Sequence, residues 1–157
     1  MNRKIIFAAS MLFTFTCMLQ AAAPLLSIPG LKWKWGKQAV IERTESTIKI
    51  TTQADNETTG VSAPPFTVTP GGVYRITFEA RGNVKLEAMM TWSKGEEKAI
   101  RHDYLKPTVL SGEWQKFSAE VKVPADKDRA STAVFFYRQS GWLEVKDFRL
   151  EAVETEN

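Results

Sequence analysis

The chain has 157 residues, 25% of them charged, with 21 Lys and Arg against 18 Asp and Glu, one His and one Cys. Two of the basic residues, Arg3 and Lys4, precede an apolar run, so the remainder is close to neutral; without a Lys/Arg cluster or a basic stripe interleaved with aromatics, this balance argues against nucleic-acid binding. The only cysteine, Cys17, lies inside that run, which leaves no disulfide framework downstream.

The apolar run, residues 5–19, is about 15 residues long, short of the roughly 20 that span a bilayer. Its basic start and its small-residue exit at Gln20-Ala21-Ala22-Ala23 predict a secretory leader over 1–22, hence a secreted or periplasmic protein. Residues 23–30 form an extended lead-in with Pro24 and Pro29. The segment 31–36, LKWKWG, puts Trp33 and Trp35 on one face of a short strand and Lys32 and Lys34 on the other. Residues 39–43 and 47–52 are further short strands, with Ile48 and Ile50 as an inward pair. Pro64-Pro65 makes 61–68 an edge strand or an interrupted one.

The clearest strand follows. Pro70-Gly71-Gly72 is a turn signal, after which Tyr74, Ile76, Phe78 and Ala80 alternate with Val73, Arg75, Thr77 and Glu79. Residues 84–92 alternate again, Leu86, Ala88, Met90 and Trp92 against Lys85, Glu87, Met89 and Thr91. A turn at Ser93-Lys94-Gly95-Glu96 leads to a strand over 97–104. Strands over 113–123, 130–138 and 142–153 complete the chain. In the last, Leu143 and Val145 fall out of phase with Phe148 and Leu150, which predicts a bulge at Lys146-Asp147. No segment after the leader has a helical period. Short strands with turn signals about every ten residues predict an all-β domain over 31–153, a sandwich or barrel, with a tail at 154–157.

Four pieces, PGGVYRITFEARG (70–82), EWQKFSAEVKVP (113–124), STAVFFYR (131–138) and GWLEVKDFRLE (141–151), have an order and spacing that resemble the carbohydrate-binding modules of the family 4/9 type. The matching residues are Tyr74, Phe78, Ala80 and Arg81, then Trp114, Val123 and Pro124, then Gly141, Asp147 and Leu150. The resemblance spans residues 60–152 and implies a galactose-binding-domain-like jelly-roll β-sandwich of two antiparallel sheets that binds a poly- or oligosaccharide without cleaving it. It also implies that the closing-strand Asp147 is a candidate ligand of a structural calcium. The N-terminal segment departs from the family pattern: LKWKWGKQAV lacks the carboxylate that helps bind that ion. Calcium takes six to eight oxygens, so a bulge role for Asp147 competes with a metal role.

Catalytic constellations are missing. There is one histidine, His102, and its neighbour Asp103 points to the opposite face of a strand. No nucleophile elbow, zinc-binding helix motif or phosphate loop occurs, and no carboxylates are set to face each other across a cleft. Sugar recognition needs an aromatic platform with polar side chains on a rigid sheet. The strands 84–92, 97–104 and 131–138 are the expected mount, on a concave sheet. From them the expected binding set is Trp92 or Tyr104 for stacking, with Arg101, Asp103 and Arg138 for hydrogen bonds. Each of these residues also has a structural reading: Trp92 is in phase with Leu86, Ala88 and Met90, and the sequence does not fix the side taken by His102 and Tyr104. A structural or protein-interaction sandwich without a sugar site, and an accessory protein of glycoside hydrolysis, are the alternatives.

Overall fold

The alternation read from the sequence becomes two stacked antiparallel sheets. The computed structural model describes residues 24–97 and 101–153; the leader expected over 1–22 and the tail 154–157 lie outside them. In chain order the elements are β1 (Leu26–Ser27), a 3-10 turn (Ile28–Gly30), β2 (Trp33–Trp35), β3 (Val40–Arg43), β4 (Thr47–Thr52), β5 (Thr58–Ser62), β6 (Phe66–Thr67), β7 (Val73–Gly82), β8 (Lys85–Ser93), β9 (Arg101–Tyr104), β10 (Thr108–Val109), β11 (Gln115–Lys122), β12 (Arg129–Tyr137) and β13 (Gly141–Val153). The first sheet runs β11-β7-β13-β4-β3, with β1 on β13. The second runs β10-β8-β12-β5-β2, with β6 on β12 and β9 on β8. The prolines at 64 and 65 interrupt their segment between β5 and β6, as a residue without an N–H donor must.

The core lies between the sheets. Tyr74, Ile76, Phe78 and Ala80 of β7 face Leu86, Ala88, Met90 and Trp92 of β8 across it, joined by Val134 and Phe136 of β12 and by Leu143, Val145, Phe148 and Leu150 of β13; all are buried. Phe78 stacks on Phe117 and Phe148, with centroids 4.9 and 5.9 Å apart.

Phe148 reaches this core only through a bulge. Lys146 pairs with Glu79 and Arg149 with Thr77, so β13 carries an extra residue at this point. Asp147 takes it up in the left-handed region, φ 52°, with its N–H directed at the Ser46 carbonyl oxygen, 3.4 Å away. Without the extra residue Phe148 would follow Lys146 onto the outer face.

Two of the crossings between the sheets, from β7 to β8 and from β12 to β13, lie side by side and are tied together. The Asn83 side chain accepts the Trp142 N–H at 2.8 Å, its backbone N–H donates to the Trp142 carbonyl at 3.2 Å, and the Lys85 N–H donates to the Gln139 side-chain oxygen at 2.9 Å. Gly141, at φ 147°, lets the second crossing pass Asn83 and Val84, where a Cβ would collide with both.

Candidate functional site: the outer face of the second sheet

Pairing register fixes what the second sheet turns outward. One row across the strands reads Trp33, Ser62, Ala133, Met89, Tyr104; the next reads Trp35, Gly60, Phe135, Glu87. Thr91 and His102 lie beyond the first row, and Thr58 and Tyr137 beyond the second. Trp33 and Tyr104 stand on β2 and β9, four strand spacings or about 19 Å apart. They are 51% and 59% exposed, and Tyr137 is 50% exposed. With Val109 of β10, this face holds four of the six exposed large apolar side chains among the described residues.

Beneath these tips lies a packed layer. Gly60, Ser62, Ala133 and Phe135 point outward by register and are nevertheless buried, so side chains of the same face cover them. The Trp35 ring lies 5.4 Å from that of Phe135, tilted by 44°. It reaches Phe135 across Gly60, the residue between them, where a Cβ would run into the Phe135 Cβ and the Val134 carbonyl. A glycine between two aromatics on neighbouring strands is thereby shielded from water.

Polar groups surround the aromatics. His102 Nδ1 and Thr91 Oγ1 are 3.0 Å apart, and the His102 ring is 6.3 Å from that of Tyr104. Arg138 follows β12 in the left-handed region, φ 49°, with its N–H on the Glu57 carbonyl oxygen and its guanidinium 5.1 Å over the Tyr137 ring. Non-glycine backbone in this region is costly and concentrates at functional sites. The Glu57 carboxylate accepts the N–H groups of Lys37 and Gln38 at 2.8 and 3.0 Å, which fixes the turn after β2 and hence the position of Trp35. Glu87 is half-buried in the middle of the face.

The expected binding set therefore divides. Tyr104 and Arg138 belong to this face. Trp92 does not: it is in the inward phase of β8 and 0% exposed, and its indole N–H donates to Asp103 at 2.6 Å. A fully buried ring has no face to offer a sugar. Asp103, opposite Met90, shares that inward phase, one residue out of step with His102 and Tyr104. Arg101 is placed by its backbone opposite Trp92; its side chain lies outside the described residues. Conversely, Trp33, Trp35, Phe135 and Tyr137 are on the face. For the two tryptophans the signal was present in the sequence, as an aromatic pair in the same phase of a strand whose other phase is lysine. That phase left core and surface equally open.

The candidate calcium ligand, Asp147, has no metal-binding cluster around it: among the described residues no group of three or more His, Cys, Asp and Glu side chains could hold a metal ion. Asp147 lines two clefts, one shared with Glu45 and the other with Glu79 and Glu151, and Glu79 is already met by Lys146 at 3.0 Å. The position of Asp147 is explained by the bulge.

The first sheet's outer face differs in kind. Its rows alternate in charge: Lys146–Glu79–Lys116, Glu42–Lys49–Glu144–Arg81 and Glu151–Arg75–Glu120. Arg75 meets Glu120 at 2.6 Å, Arg81 meets Glu144 at 2.7 Å, and Lys146 meets Glu79 at 3.0 Å. Arg81 and Lys146 also lie over the Trp114 ring, at 4.6 and 4.4 Å, which fastens the loop before β11 to the sheet. An open cleft of about 530 Å³ lies here between β7, β11 and β13, with Thr77, Glu79, Ser118 and Arg149 in its lining. Its aromatic members, Phe78 and Phe117, are core side chains, so it offers no stacking platform.

No family model and no curated protein matches the sequence. Solved structures do match in fold. The enzymatically active domain of tailspike protein 4 of bacteriophage CBA120 superposes with a TM-score of 0.63 at 10% identity, over 73% of this chain and 18% of that one. A family 4 carbohydrate-binding module gives 0.56 at 15% identity, over 73% and 78%. The Clostridium thermocellum endo-1,4-beta-D-xylanase 10B, as its CBM22-1 and GH10 modules with xylohexaose, gives 0.59 at 13% identity, over 83% and 28%. The chain thus spans less than a third of the tailspike and xylanase chains and most of the free-standing module. The fold is the β-sandwich of the jelly-roll carbohydrate-binding modules, similar also to families 16, 29 and 61.

Proposed function

We propose that this protein is exported and binds carbohydrate without cleaving it, on the outer face of the second sheet. The observation that carries the reading is the aromatic platform: Trp33, Trp35 resting on the buried Phe135, Tyr137 and Tyr104 on one face of a rigid sheet, with Glu87, His102 and Arg138 among them. Sugar rings present apolar C–H faces with hydroxyls at their rims, and aromatics beside charged or dipolar groups match both. The two rims of the platform lie about 19 Å apart, which suits a chain of several sugars better than a single ring. Two similar structures were solved with oligosaccharides, xylohexaose in one and β-1,4-galactotriose in the other, which supports a glycan as the ligand class. Among the described residues no second carboxylate faces Glu87 across the platform, so the carboxylate pair of a glycosidase is not assembled there. The leader expected over residues 1–22 would take the protein to where polysaccharides are.

Affinity electrophoresis of the full chain through gels containing xylan, mixed-linkage β-glucan or β-1,4-galactan tests the reading. Retardation by at least one polymer, weakened about tenfold in Trp33→Ala and in Tyr104→Ala, is the expected result. No retardation by any of them, or release of reducing ends during the run, would overturn it. An apolar face of this kind also suits a protein partner; self-association in solution, abolished by Trp33→Ala and unaffected by glycans, would favour that second reading.

A further inference from the structure

We infer that Glu87 is a specificity-determining residue of this face: its carboxylate accepts hydrogen bonds from free ring hydroxyls, so the sugar seated beside it must be neutral and unsubstituted there. The inference rests on the reading of the face as a sugar site and names the class of glycan that it takes.

Its position comes first. Glu87 is directly opposite Phe135 in the row that begins with Trp35 and Gly60, two residues from Met89 on the same face. It is half-buried on a long central strand, between Lys85 and Met89 along the strand. Its isolation comes second. No hydrogen bond or ion pair engages its carboxylate among the described residues, and the guanidinium at that end of the face, Arg138, lies over Tyr137 instead. On the other sheet's outer face Glu79, Glu120 and Glu144 are met by Lys146, Arg75 and Arg81 respectively, while Glu42 and Glu151 are met by none of the described residues.

The chemistry follows from what a carboxylate lacks. Ionised, it has no donor, so only donors satisfy it, and hydrogen bonds to a charged acceptor are the stronger kind. Two adjacent hydroxyls of a sugar ring stacked over the platform present two donors to its two oxygens. An O-methyl or O-acetyl group at that place removes a donor and leaves the carboxylate desolvated and unpaired, a loss that polar sites read far more sharply than a change of bulk. A uronate there would bring a second negative charge against the first. A glutamine side chain of the same length both donates and accepts, and would lose this discrimination.

The test uses the full chain, wild type and Glu87→Gln, in affinity gels containing xylan, mixed-linkage β-glucan or β-1,4-galactan, each native and partially O-methylated. Wild type should bind the native polymer about tenfold more tightly than its O-methylated form, the scale of one hydrogen bond to a charged acceptor. Glu87→Gln should reduce that ratio to near one with an unchanged melting temperature. A ratio that survives in Glu87→Gln, or a wild type that binds both forms equally, overturns this inference and leaves the sugar-binding reading standing. A wild type that binds no polymer in either form overturns both.

Discussion

Trp33 and Trp92 are the same side chain in opposite roles, and the difference is measurable. Trp92 is enclosed in the core and its N–H is bonded to Asp103, so Trp92→Ala should cost about 3–5 kcal/mol of stability in chemical denaturation. Trp33 is half-exposed on a short edge strand; its truncation should leave stability within about 1 kcal/mol while weakening retardation in glycan gels. A stability loss at Trp33 as large as that at Trp92 would mean that it is packed rather than presented. Asp126 offers a smaller residue-scale test. The hydrogen bond from Lys127, whose ammonium is 3.0 Å away, holds its carboxyl below the usual carboxylate value. A carboxyl lowered in the folded state stabilises above its unfolded value and stops doing so as pH falls through the folded one. The effect on stability is confined to acid, and for an exposed carboxylate it is small. A chemical-shift titration should place the Asp126 midpoint below that of an ordinary aspartate, and Lys127→Met should raise it.

At the scale of the element, β13 and β5 each depend on one backbone position. The bulge in β13 needs a residue tolerant of the left-handed region, which Asp is and a β-branched residue is not. Asp147→Val should destabilise by about 1–2 kcal/mol, whereas Asp147→Gly should be near neutral and a chelator should leave the melting temperature unchanged. Calcium-dependent melting would instead show that Asp147 serves an ion. In β5, Gly60→Ala forces a methyl group onto Phe135 and the Val134 carbonyl. The expected cost is about 1–3 kcal/mol, together with weaker glycan retardation as the Trp35–Phe135 contact is displaced. These two strands also show how far an element can be read from its own residues. The phase break between Val145 and Phe148 located the bulge, because a core-facing side chain tolerates no slip. Nothing in residues 58–62 announced that Gly60 is the floor between two aromatics, since the residues that meet over it, Trp35 and Phe135, are a hundred positions apart.

For the whole molecule, the two outer faces differ in charge, and the difference can be tested with salt. The Arg75–Glu120 pair of the first sheet is exposed, and pairs of that kind contribute little. A double-mutant cycle on Arg75 and Glu120 should return less than about 1 kcal/mol of coupling, and molar salt should reduce it further. Stacking on the second sheet should be far less sensitive to salt. If high salt instead abolished glycan retardation, charge rather than aromatic contact would be driving the association.

By itself the sequence determined the long strands and the phase of each, because a period of two is a local property wherever one phase is strongly apolar; it marked residues 58–60 and 108–109 as turn and loop, where short strands lie. It showed that β7 turns a solvated face outward, that residues 64 and 65 break a strand, and that no catalytic constellation of familiar spacing is present. Only the tertiary structure decided the face. In residues 33–35 and 101–104 neither phase is plainly a core phase, so alternation names two sides without saying which is inside. That choice is made by neighbours distant in the chain: β5 for Trp33 and Trp35, β8 for His102 and Tyr104. Sheet pairing is non-local, and it is pairing that put Trp92 in the core and set Trp33 and Tyr104 at opposite rims of one platform.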